Sequence, residues 1–116
     1  MSKRQKKNLL TLKPTLKKGY YKEVRQDGAP YLMVPRNNWL EKLSIRLLKQ
    51  PRYYPVKLDD LGGFVVDHLT GNETVAEIAT HIENEFHEAA KPTLPRLAKF
   101  IEILEVNDWI TFKEEG

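Results

Sequence analysis

The chain has 116 residues, no cysteine and a formal net charge of +3. That length suits one domain with one modest core, and the missing cysteines exclude both a disulfide framework and a thiolate metal site. The charge is unevenly divided: residues 1–57 hold 15 Lys/Arg and 3 Asp/Glu, and residues 58–116 hold 4 and 13, which predicts an acidic partner for the first half or contact between the halves.

Residues 1–18 carry Lys3, Arg4, Lys6, Lys7, Lys13, Lys17 and Lys18 without a single acid. They read as a basic, disordered arm preceding one domain over 19–116. No apolar stretch of signal-peptide length follows this basic start, and no apolar run is long enough to span a membrane. A cytoplasmic location is expected.

Tyr20–Arg25 and Tyr31–Pro35 are rich in aromatic and β-branched residues, and Asp27-Gly28 lies between them. That combination predicts a hairpin. An amphipathic helix is expected next, over about 38–50, with Trp39, Leu40, Leu43 and Leu47 near one face and Lys42, Arg46 and Lys49 on its basic side. Three roles stay open for it: packing on the domain's own core, binding a partner protein, or lying on an anionic membrane. Trp39, Lys42 and Arg46 are its candidate partner surface.

Pro51 ends that helix, and Arg52–Leu58 reads as a third strand. Tyr54, Val56 and Leu58 alternate with Tyr53, Pro55 and Lys57. A proline within a strand points to a sheet edge. The donor that Pro55 lacks faces either the open edge or the second strand.

From Leu58 to Phe86 the sequence reads as two short helices joined at Thr70-Gly71-Asn72. The first runs from about Asp60 to Leu69, with Leu61, Phe64, Val65 and His68 toward one face. Gly71 suits a left-handed closing residue. Thr74 and Glu77 have capping-box spacing, and Val75, Ile78, Ala79, Ile82 and Phe86 form one apolar stripe. A third helix is expected over Pro92–Val106, with Leu94, Leu97, Ile101 and Leu104 as its core stripe and Arg96, Lys99, Phe100 and Ile103 at the margin. Trp109–Phe112 is a short closing strand or a packed tail.

Leu58-Asp59, Leu61-Gly62, Phe64-Val65, Leu69, Gly71, Thr74-Val75 and Glu77-Ile78 resemble the signature of the PqqD family, the pyrroloquinoline quinone biosynthesis protein D. The resemblance spans Tyr20–Phe112, interrupted by the inserted helix. It implies an α+β fold: a three-stranded antiparallel sheet followed by a three-helix, winged-helix-like unit. It also implies a non-catalytic protein that recognises a precursor or leader peptide and presents it to a modifying enzyme, such as a radical SAM enzyme. The family overlaps with the peptide-recognition elements of enzymes that modify ribosomally made peptides.

The residues themselves favour binding over catalysis. Ser2 and Ser44 are the only serines, and no Ser-His-Asp arrangement forms. Gly62-Gly63 opens a helix without a phosphate-loop pattern and is explained by close packing. His81 and Glu85 share a helix face, but His87 lies well around the helix from His81 and a metal needs three or more convergent ligands, so neither a metal nor a cofactor is expected. A peptide is expected to add as a strand along Tyr53, Tyr54, Pro55, Val56, Lys57 and Leu58, flanked by Arg96, Lys99, Phe100 and Ile103. The competing reading is a winged helix on nucleic acid. It needs a basic recognition helix, whereas the second helix is expected to carry Glu73, Glu77, Glu83 and Glu85 and no Lys or Arg.

Overall fold

The computed structural model describes residues 6–36, 46 and 52–113. Among them the chain is α+β, with five strands in two antiparallel sheets and three α-helices. The expected helix over 38–50, with Trp39 and Lys42, lies outside the described residues except for Arg46, which is helical and exposed.

The expectation of a disordered arm through Lys18 is corrected over residues 6–18. A 3₁₀ turn, Lys6–Thr11, leads into strand β1, Lys13–Leu16. β1 pairs with the last strand, β5 (Ile110–Lys113), in a register running from Lys13↔Lys113 to Leu16↔Ile110. Its other side is bonded as well. Leu16 N–H donates to the Leu69 carbonyl at 3.0 Å, and the N–H groups of Gly71 and Val75 donate to the carbonyls of Pro14 and Leu12, each at 3.0 Å. The physical reason is period-two burial. Leu12 and Pro14 are buried and Leu16 packs on the core, while Lys13 and Thr15 between them are only partly buried. Lys17 then meets Asp108 at 2.6 Å. With Lys22–Asp67 at 2.7 Å, this ion pair joins the basic half of the chain to the acidic half.

Strands β2 (Tyr21–Val24) and β3 (Pro30–Pro35) form the expected hairpin. Gly28 takes φ +80°. Its N–H donates to the Arg25 carbonyl at 2.8 Å, and Arg25 N–H donates to Ala29 at 3.1 Å, which closes a three-residue loop. The Asp27 carboxylate accepts from Tyr31 Oη at 2.7 Å and from Ala29 N–H at 2.9 Å. The Tyr31 hydroxyl, followed by the Ala29 N–H, holds the Asp27 carboxyl below its ordinary value of 3.8, and the same bond raises Tyr31. Since the folded value is the lower one, this contribution to stability is complete above the ordinary carboxylate range and disappears as pH falls through the depressed value. In Tyr31→Phe the Asp27 midpoint is expected to move back up toward 3.8 when followed by carboxyl NMR; an unmoved midpoint would remove Tyr31 as the cause.

Strand β4 (Tyr53–Lys57) pairs antiparallel with β3 and ends the three-stranded sheet, whose order is β2-β3-β4. Tyr54 and Val56 pack on the core and Leu58 is buried, while Pro55 and Lys57 are exposed. The expected alternation is therefore realised.

Helix α1 (Asp60–Asp67) is capped by Asp59, whose carboxylate accepts from Gly62 N–H at 2.7 Å. A Cβ on Gly63 would lie 2.8 Å from Pro30 Cγ, so this glycine lets α1 lie directly against β3. Gly71 takes φ +82° in the following turn. Helix α2 (Val75–Phe86) has the full capping box of Thr74 and Glu77, and it buries Val75, Ile78, Ala79 and Ile82. A short 3₁₀ turn, His87–Ala90, connects it to helix α3 (Thr93–Val106).

In α3 the buried positions are Thr93, Leu97, Ile101 and Leu104. Leu94 is 45% exposed and leaves the expected core stripe. The first turn faces the core four residues before Leu97, at Thr93, so Leu94 falls one step around the helix. The core joins Leu32 and Val34 of β3 to Val65, Ile78, Ile82, Leu97, Ile101 and Leu104 of the helices and to Ile110 of β5. Among the described residues no helix is long and apolar enough to cross a membrane.

Candidate functional site

The hydrogen-bond ladder fixes which backbone groups of β4 point outward. Leu58 N–H donates to the Pro30 carbonyl and Arg36 N–H to the Arg52 carbonyl, each at 2.9 Å. In an antiparallel pair, bonded and non-bonded positions alternate. Leu32–Val56 and Val34–Tyr54 are therefore the bonded pairs between these ends, and Tyr31–Lys57, Met33–Pro55 and Pro35–Tyr53 are the non-bonded ones. The backbone groups of Tyr53, Pro55 and Lys57 point away from β3. Pro55 thus sits where its missing N–H leaves no gap in the internal ladder. The outward edge offers donors at Tyr53 and Lys57 and acceptors at Tyr53, Pro55 and Lys57.

β4 leads through Leu58 into the capped start of α1, and α3 closes on the same point. A Cβ on Gly62 would lie 3.6 Å from Leu58 Cβ and 3.5 Å from Phe100 Cζ. Gly62 is therefore bordered at ordinary contact distance by Leu58, at the end of β4, and by Phe100 of α3. Beside them lies a cleft of about 120 Å³ whose lining includes Leu61, Val65, Arg96, Leu97 and Phe100, with Asp59 at the α1 cap.

The structure therefore gathers Leu58, Arg96 and Phe100 of the expected site. Arg96 is exposed and donates from Nη1 to the Ala89 carbonyl at 2.9 Å. Lys99 and Ile103 are exposed further along α3, outside the cleft lining. Lys57 is mostly exposed, with its ammonium 3.8 Å from the Asp27 carboxylate. Leu61 and Val65 were legible as apolar positions of α1 but not as cleft walls. Only their placement opposite α3 gives them that role. On α2, Glu77, Glu83 and Glu85 are all exposed, an acidic surface that repels a phosphate backbone.

These features define a small α+β domain built around one terminal strand, with a helix cap and an apolar cleft at that strand's end. A family model described as coenzyme PQQ synthesis protein D (PqqD) matches residues 47–110, more than half of the chain, and the chain belongs to that family. The matched stretch contains β4 and all three helices. No curated protein matches the chain, and no solved structure does.

Proposed function

We propose that this protein is a non-catalytic peptide-binding partner in the biosynthesis of a peptide-derived cofactor or natural product. It takes up a precursor or leader peptide as an added strand on β4 and presents it to a modifying enzyme, for which the radical SAM class is the first candidate. The observation that carries this reading is the outward ladder of Tyr53, Pro55 and Lys57, which ends beside the cleft between α1 and α3. Main-chain bonds to that edge supply affinity, and side-chain pockets supply specificity.

The edge dictates what the peptide must bring. It needs acceptors opposite Tyr53 and Lys57 and must not require a donor from Pro55. An apolar side chain fits the cleft walled by Leu61, Val65 and Phe100. Acidic residues fit beside Lys57, Arg96 and Lys99, with attraction that falls as salt rises.

Lys99→Glu tests the electrostatic part. Lys99 is exposed and off the core stripe, so the fold is expected to persist. Reversing a rim charge is expected to weaken leader binding by about 3–10-fold at low salt, and by less at high salt. Fluorescence polarisation with a labelled leader measures it. Unchanged affinity at low salt would separate α3 from the binding surface.

A further inference from the structure

At the other end of α1 from the cleft, three side chains that are scattered in sequence converge. His68 follows the last turn of α1, Glu73 lies in the turn, and His81 lies in the middle of α2. His68 Nδ1 is 3.1 Å from each Glu73 carboxylate oxygen, and His81 Nε2 is 3.3 Å from Glu73 Oε1. The two imidazoles stack at 5.0 Å, and His68 also leans on Phe64 at 4.7 Å. Phe64 in turn meets Phe86 edge-on at 5.3 Å, so packed aromatic rings brace the His68 end of the group.

We propose that His68, Glu73 and His81 form a binding site for one divalent transition-metal ion of the Zn²⁺ class. One candidate ligand atom from each of the three lies within 4.8 Å of the others. Zn²⁺ bonds of about 2.0–2.1 Å in a tetrahedron separate neighbouring ligand atoms by roughly 3.3 Å. The two His–Glu separations already match that spacing, and a small approach of the two rings completes the set. Two imidazoles and one carboxylate suit Zn²⁺ and its neighbours better than Ca²⁺ or Mg²⁺, which prefer all-oxygen shells. His81 is about half exposed, giving the ion a way in and leaving its fourth position to water. An ion held there ties the end of α1 to α2 across their turn.

The test uses the full chain with Zn²⁺ alone, followed by calorimetry, and with Co²⁺ followed by its visible absorption. One equivalent is expected to bind, and the His68 and His81 ring resonances are expected to shift. His81→Ala and Glu73→Gln are each expected to weaken binding by about a hundredfold or more, since losing a group that merely supports a ligand already costs roughly 10–100-fold. His87→Ala is expected to leave binding unchanged. Circular dichroism verifies that each variant is folded. Absence of saturable binding would show that Glu73 holds the two rings by hydrogen bonds alone, and binding that survives His81→Ala would place the ion elsewhere. Either result overturns the proposal.

Discussion

Replacing Ile82 with alanine is expected to cost about 2–5 kcal/mol, the usual range for deleting a large side chain from a packed core. Ile82 is 1% exposed on the inner face of α2 and lies between α1 and the Leu97 turn of α3, where it also backs the cleft. The capping box holds the first turn of α2 in place, so the helix cannot shift easily to fill the space. Equilibrium denaturation with urea measures the loss. A change under about 0.5 kcal/mol would be a surface-like response and would contradict the burial of this stripe.

Removing residues 1–17 is expected to cost at least about 3 kcal/mol, or to prevent folding outright. A disordered basic arm would be lost at almost no cost. β1 is instead held on both sides, by β5 and by the turn between α1 and α2. Truncation takes away the buried Leu12 and Pro14 and uncovers Ile110 and Leu69, where each fully buried large apolar side chain contributes roughly 1.5–3 kcal/mol. It also leaves the backbone N–H groups of Gly71 and Val75 without their carbonyl partners. Thermal and urea melts of the truncated chain provide the comparison. Stability within about 0.5 kcal/mol of the full chain would show that β1 is dispensable.

The elements with local signals were readable from the sequence. The Asp27-Gly28 hairpin, the Thr74–Glu77 capping box, the stripe of α2 and the left-handed Gly71 all depend on residues within a few positions of one another. Pro55 marked β4 as an edge, but only the ladder to β3 shows that its missing donor faces outward. β1 was hidden because seven Lys/Arg dominate the composition of the first 18 residues. The alternation of Leu12, Pro14 and Leu16 was present, yet its partner lies almost 100 residues away in β5. The convergence of His68, Glu73 and His81 had no sequence signature, because it joins a helix end, a turn and a second helix at irregular spacing. The cleft was half legible: Arg96 and Phe100 followed from the α3 margin, whereas Leu61 and Val65 line it only because the fold places α1 opposite α3.

The claim that a peptide adds to β4 is tested most directly by amide hydrogen exchange followed by NMR, with and without a candidate leader peptide. The amides of Tyr53 and Lys57 point outward and are expected to exchange quickly in the free protein. Those of Tyr54 and Val56 are bonded to β3 and are expected to be protected in both states. Leader binding is predicted to protect Tyr53 and Lys57 selectively and to shift the resonances of Arg96–Ile103 in the same titration. Saturable leader binding that leaves the Tyr53 and Lys57 amides exchanging at their free rates would contradict strand addition at this edge.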